Sequence, residues 1–409
     1  MNYEKLLKNE LLKSYGCTEP IALAYAAARI SSLLNEDLEQ MQLFCSSNII
    51  KNVNSVVIPN TNYKKGIEVA AAIGYIVKKY EDKLELLKNV KDEDIEQIDD
   101  LCKKITVNLE VGVPNLFIKI IAYTKNNKAQ IIIVNEHTNI AYLSLNDKLL
   151  IDTYKNSVEE EYRLDFDDIY TYCKLANLDN VKDLLKEQYE LNYKIAQEGI
   201  KNNYGANIGK LMLSSTKNES LAYACAGSDA RMSGSALSVM IVSGSGNQGI
   251  CASVPVYLHA KKINASEDEL IKALAFSNLI TLYLKSKIGK LSAYCGVVSA
   301  ASAAICAIAM LDKQDKKVIE RCLINSLAIS SGIFCDGAKA SCAAKIASAL
   351  NSAFLAYEQA KSNNNFNFND GIIKNNLQNT VDAICNVARY GMAQTDVVIL
   401  EQMLKKDKQ

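Results

Sequence analysis

The period of the apolar positions changes along the chain. From the start to about residue 50 it reads as helices: an amphipathic first set, an Ala-rich run beginning near Pro20, then LNEDLEQMQLFCSSNIIKN. Thr18 or a residue beside it can cap the second helix, with Glu19 favourable in its first turn and Pro20 tolerated there. From about 52 to 190 the apolar runs shorten and turn residues separate them. NSVVIP reads as a short strand, GIEVAAAIGYIVKKY and EDIEQIDDLCKK as helices, and ITVNLE, LFIKIIAYT, AQIIIV, NIAYLSLN and LLIDTYK as strands. The last four lie too close in sequence for crossover helices, which predicts antiparallel pairing.

After about 195 the strands stop. LAYACAGSDARM, DELIKALAFSNLITLYLKSKI, LSAYCGVVSAASAAICAIAML, KKVIERCLINSLAISSGIF, GAKASCAAKIASALNSAFLAYEQA and NTVDAICNVARYG are helical, and the central ones are apolar on nearly every side, as in the middle of a bundle. The polar stretch 360–371, AKSNNNFNFNDG, reads as a surface loop between helices. No internal repeat is visible. The expected fold class is α+β: N-terminal helices (1–50) packing on a large helical domain (195–409), with a smaller α+β domain and its antiparallel sheet between them (51–194).

Composition narrows the function classes. The 409 residues are 49% hydrophobic and 22% charged, enough for a substantial core. Lys plus Arg and Asp plus Glu number 46 each, and no stretch is strongly basic, so neither nucleic acid nor a membrane surface is expected as partner. Twelve cysteines in mostly apolar surroundings, after an N-terminus without a signal-like apolar segment, predict a reducing cytoplasm. The charge-free run 291–311 is long enough to span a bilayer. It is Ala/Ser-rich and lacks an aromatic belt, so a buried helical segment is expected.

Three cysteines stand out by context. Cys295 lies in SAYCGVVSA; Cys335 and Cys342 lie in SSGIFCDGAKASCAAK. On one unbroken helix a spacing of seven is about 10.5 Å of rise, long for two thiolates on one compact centre. CDG offers a break, with Cys335 in a turn and Cys342 beginning the next helix. Three soft ligands suit an iron–sulfur centre, or zinc with a further ligand, while each cysteine read alone is an inert small hydrophobe.

A second feature is SGSGNQG, covering Ser243, Gly244, Ser245, Gly246, Asn247, Gln248 and Gly249, whose glycines and small donors can form a nest for an anion such as a carboxylate. Arg231, in an apolar neighbourhood, either pairs with Asp229 or another acid or grips a substrate carboxylate. The bland alternative is a tight loop with an internal ion pair. Asn60 and Thr61 (VVIPNTNYKKG) and His137 and Thr138 (NEHTNI) fall in turns. With two histidines in the chain and no ligand pattern near either, zinc-hydrolase chemistry lacks material, and His259 reads as structural.

Together, GCTEPIALA, VIPNT, HTNI, DARMSGS, SGSGNQG, YCG, FCDGAKASCAAK and GMAQTD resemble the L-cysteine desulfidase family, whose helical half is similar to the alpha portion of iron–sulfur L-serine dehydratases. The resemblance runs from Cys17 to about Asp396. It implies a cytoplasmic lyase that uses one [4Fe–4S] cluster per chain, held by Cys295, Cys335 and Cys342 with one iron open. It also implies Cys17 as the catalytic cysteine. The reaction implied converts L-cysteine and water to pyruvate, ammonia and hydrogen sulfide without pyridoxal phosphate, and the alternative is the corresponding L-serine dehydratase. On that reading, Cys17 at a helix N-terminus has a lowered pKa and takes the α-proton. Arg231 and the 243–249 stretch hold the carboxylate, and Asn52, Asn60, Thr61, His137 and Thr138 close the site. The expected partner is a small amino acid; a homo-oligomer is compatible with the sequence. A helical scaffold with inert buried cysteines is the rival from another class.

Overall fold

The computed structural model describes residues 1–146, 148–154 and 162–405. Its first part runs α1 (Tyr3–Glu10), β1 (Lys13–Ser14), α2 (Thr18–Ser31), β2 (Gln40–Cys45), α3 (Ser47–Val53), α4 (Ile67–Val77), α5 (Asp92–Cys102), then strands β3 (Ile105–Leu109), β4 (Phe117–Tyr123), β5 (Lys128–Val134), β6 (Ile140–Leu145) and β7 (Lys148–Asp152). Helices follow: α6 (Phe166–Leu175), α7 (Asp179–Lys201), α8 (Ile208–Thr216) and α9 (Glu219–Met232). After the two-residue β8 (Val239–Met240) come α10 (Gly246–Lys262), α11 (Glu267–Ile288), α12 (Gly296–Leu311), α13 (Lys316–Ser330), α14 (Cys342–Lys361), α15 (Leu377–Asn386) and α16 (Ala393–Leu404). The fold is α+β and mostly helical, as the apolar periodicity indicates.

The larger sheet has the order β3-β2-β4-β5-β6-β7. The last four strands are antiparallel as expected, while β2 pairs parallel with β3 and antiparallel with β4, making the sheet mixed. β2 lies in a stretch that the sequence reading assigns to helix. In QMQLFC the buried positions Met41, Leu43 and Cys45 alternate with more exposed ones, which is the period of a half-buried strand. NSVVIP also departs from expectation. It forms no strand beyond one bridge, Val57 to Lys65, because Pro59 offers no N–H and Asn60 turns the chain at φ 58°. The Lys155 end of the last expected strand lies outside the described residues. In the region expected to be all helical, β8 pairs with β1, and α6 and most of α7 precede the anticipated change at 195.

Helix α2 lies against β4 and β5 on one side and α4 on another, and every residue of it except Arg29 is buried. Its Ala-rich surface permits this close approach. Apolar residues from α2, the sheet and the helical half form one continuous core. No helix among the described residues is long and apolar enough to cross a membrane. The apolar run from Leu291 becomes helical only at Gly296, as the buried α12 between α11, α10, α13 and α14.

Candidate functional site

The polypeptide brings one cleft together from segments far apart in sequence. The first is the entry to α2. Gly16 has φ 100°, Cys17 is the extended N-cap, and α2 begins at Thr18. The β1–β8 ribbon draws this segment against the 239–245 stretch, and the Thr18 hydroxyl donates to the Gly244 carbonyl at 2.8 Å.

The second segment is Ser243–Gly249. Ser243 (φ 48°) and Gly244 (φ 74°) form a tight turn, and Ser245 caps α10 by accepting from the Gln248 N–H. The glycine-rich motif is therefore a turn feeding a helix start, whose first N–H groups lack intrahelical partners and carry the positive end of the helix dipole. Arg231, in the last turn of α9, reaches this start: its guanidinium donates to Asn247 Oδ1 at 3.2 Å. The Arg231 Nε is buried without a hydrogen-bond partner, and no carboxylate stands within ion-pair distance of the guanidinium among the described residues. Asp229 instead accepts from the Gly209 N–H at 2.8 Å, so the internal Asp–Arg pair is not formed.

The remaining segments carry the three cysteines and α3. Residues 293–295 and 333–335 run side by side: Tyr294 bridges Phe334, the Cys295 N–H donates to the Ile333 carbonyl at 3.0 Å, and the Cys335 N–H donates to the Ala293 carbonyl. Cys295 is the N-cap of α12, Cys335 follows the end of α13, and Cys342 is the first residue of α14. The break expected at CDG is present, with Gly337 at φ 94°. A Cβ there would lie 2.2 Å from the Lys51 carbonyl of α3, so the loop can cross α3 this closely only with glycine. Lys345 ties the loop by donating to the Phe334 carbonyl at 2.8 Å and pairing with Asp336.

Cys17, Asn52, Arg231, Ser245, Asn247, Gln248, Cys295, Cys335 and Cys342 line a cleft of about 90 Å³. Ser243 and Gly244 form the turn behind it, and Gly246 opens α10; none of the three lines the cleft. His137 sits behind Glu19, its Nε2 4.0 Å from Glu19 Oε1. Three other expected residues do not line the cleft. Asn60 donates to the Tyr15 hydroxyl and the Leu87 carbonyl, Thr61 donates to the Ile58 carbonyl within its own turn, and Thr138 is half-buried in the β5–β6 turn.

Sequence reasoning missed Glu19, reading it only as a helix-start residue. Its Oε2 accepts from the Cys17 thiol at 3.2 Å and lies 3.0 Å from the Thr18 hydroxyl oxygen, whose one proton goes to Gly244, and its Oε1 accepts from Asn52 at 3.1 Å. Burial alone would raise its pKa, but the His137 ring and the Cys17 thiol outweigh it and hold the carboxyl at about 2. The lowered pKa expected for Cys17 is not found. Burial, then the Glu19 charge, push its thiol well above the ordinary value, against a smaller opposing pull from Arg231. Burial and the neighbouring Cys335 and Cys342 likewise push Cys295 up to about 12.

Among the described residues no three His, Cys, Asp or Glu side chains stand close enough to grip a single metal ion. A four-iron cluster makes a different demand, since each thiolate binds its own iron. Three buried or half-buried thiols around one cleft, two of which disfavour ionisation of Cys295, are a donor set whose charge such a cationic core would offset.

Residues 81–401 match the family described as the serine dehydratase alpha chain. The chain is also similar to proteins described as UPF0597 protein. The one from Finegoldia magna is 42% identical, covering 99% of this chain and 100% of the relative. Those from Lachnoclostridium phytofermentans and Desulfitobacterium hafniense are 40% and 39% identical, covering 98% and 99% of this chain and 98% and 96% of theirs.

Proposed function

We propose, on the premise that the chain belongs to the serine dehydratase alpha chain family, that it is a lyase eliminating the β-substituent of a small L-amino acid. L-Serine is the first reading, because the family match favours it. L-Cysteine is the second, supported by the sequence motifs from GCTEP to GMAQTD. The observation carrying the proposal is the meeting, in one cleft, of three cysteines from three segments with a buried arginine that has no acid partner among the described residues.

Cys295, Cys335 and Cys342 would hold a [4Fe–4S] cluster, which when bound supplies a Lewis-acidic iron for the departing substituent. Arg231, Asn247 and the start of α10 bind the carboxylate and fix the substrate's orientation. Cys17 is the candidate for removing the α-proton, and the proton on its Sγ must leave before it can act as a base. Loss of the α-proton and the β-hydroxyl as water gives aminoacrylate; tautomerisation and hydrolysis then give pyruvate and ammonia. With L-cysteine the second product is hydrogen sulfide.

The test is anaerobic assay of the iron- and sulfide-reconstituted protein with L-serine and L-cysteine, measuring pyruvate and sulfide. Pyruvate from one of them is expected, with the larger kcat/KM naming the substrate. Reconstituted protein that forms no pyruvate from either overturns the reading. Cys295→Ser, Cys335→Ser and Cys342→Ser should each lose bound iron and sulfide; full content in all three would remove the ligand assignment.

A further inference from the structure

Two buried charges of opposite sign in the cleft lining, Arg231 and Glu19, are paired with no permanently charged side chain among the described residues. Arg231, 3% exposed, has no acid partner among the described residues. Glu19, 6% exposed, is the sole carboxylate lining the cleft among the described residues, and no lysine or arginine pairs with it. The His137 ring, which does not line the cleft, stands 4.0 Å from Glu19. Of the two lysines that also line the cleft, Lys290 is matched by Glu10 at 3.0 Å and by Glu136, and Lys285, 3% exposed, forms no ion pair with Glu19. Neutral donors, the Cys17 thiol and the Asn52 amide, occupy two of the roughly four acceptor positions of the Glu19 carboxylate, since the single Thr18 hydroxyl proton goes to the Gly244 carbonyl. The His137 ring helps hold Glu19 ionised, and a ligand that brings a permanent opposite charge into contact with either buried group offsets the cost of burying it. Cys17 links the two in the cleft lining: its thiol donates to Glu19, and its side chain packs with Met232, the residue that follows Arg231.

An α-amino acid carries a carboxylate and an ammonium on one carbon, the same two charges in complementary sense. We propose that Glu19 holds the substrate's α-ammonium while Arg231 holds its carboxylate, so that the cleft selects α-amino acids over otherwise similar acids lacking nitrogen. Gln248 Oε1, buried in the same cleft without a donor, offers the ammonium a second acceptor. This assignment rests on the amino-acid reading of the site and makes Glu19 a specificity-determining residue.

The test compares two unreactive ligands by anaerobic calorimetry: L-alanine, with both charges and no leaving group, and propionate, which lacks the ammonium. Wild type should bind alanine about 10-fold or more tightly than propionate, as expected of one charge-assisted contact. Glu19→Gln should bring that ratio to about 1 while changing propionate affinity less than about 3-fold, which also reports that the cleft is intact. Glu19→Asp, which keeps the charge on a shorter arm, should retain part of the preference and serves if the Gln variant does not fold. A Gln variant with the wild-type ratio, an Asp variant unchanged from wild type where only it folds, or a wild type with no preference overturns the assignment. Pyruvate formation by wild type in any of those cases would leave the lyase reading standing and remove the role of Glu19 alone.

Discussion

Exchanging Asp396 for asparagine should release α16 from the body of the protein. Asp396 pairs with Lys51 of α3, whose side chain is 1% exposed, and Asn48 of α3 reaches the same carboxylate only at 3.5 Å. Removing the carboxylate charge leaves a buried ammonium without its partner, a change that costs about 3–5 kcal/mol. If that interaction limits local opening, amide exchange over Ala393–Leu404 should accelerate roughly 10²–10⁴-fold. Hydrogen exchange followed by mass spectrometry reads this directly, without assuming that so long a chain unfolds in one step. Replacing both partners, Lys51→Met with Asp396→Leu, should recover most of the protection, because no charge is then stranded. Exchange within about 3-fold of wild type in Asp396→Asn would refute the argument, since a buried charge pair cannot be broken at so small a cost.

Three further outcomes follow from the same geometry. Gly337→Ala places a methyl 2.2 Å from the Lys51 carbonyl at a φ of 94° and should lower bound iron in the reconstituted protein, read by metal analysis, with the rest of the fold retained. Cys17→Ala should keep its iron and sulfide yet lose exchange of the substrate α-proton with deuterated solvent; in wild type that exchange should rise with pH through neutrality, because the thiol is shifted upward. Asp229, raised by burial from 3.8 to about 6, ionises in the unfolded chain before it does in the folded one, so its contribution to stability falls as pH rises between those values. Urea midpoints of Asp229→Asn measured against pH should lack that component.

Much of the architecture is legible because burial imposes its period on the sequence. The apolar faces of α11 and α12 and the alternation in β4 and β5 can be read directly. The helix break at Cys335 is legible too, since a glycine two residues on and a spacing of seven make one continuous helix a poor carrier for both thiols. β2 escapes such a reading because six alternating residues next to a helical pattern are too few to separate the two periods. Asn60 and Thr61 look chemical but satisfy their own surroundings, an ambiguity inherent to Asn and Thr, whose side chains serve turns and ligands alike. Glu19 is easily overlooked because a helix start explains an acid locally. Its second role depends on Asn52 and His137, which only tertiary structure brings near.

The hydrogen bond from Thr18 to Gly244 joins residues 226 apart in sequence. At about 5–20 residues per second on the ribosome, the acceptor emerges roughly 10–45 s after the donor. During that interval the nascent Ala-rich segment has no covering layer from the distal half, which makes it a natural client for a holding chaperone. Truncated translation products ending before Gly244 should accordingly be retained by chaperones or cleared by proteases.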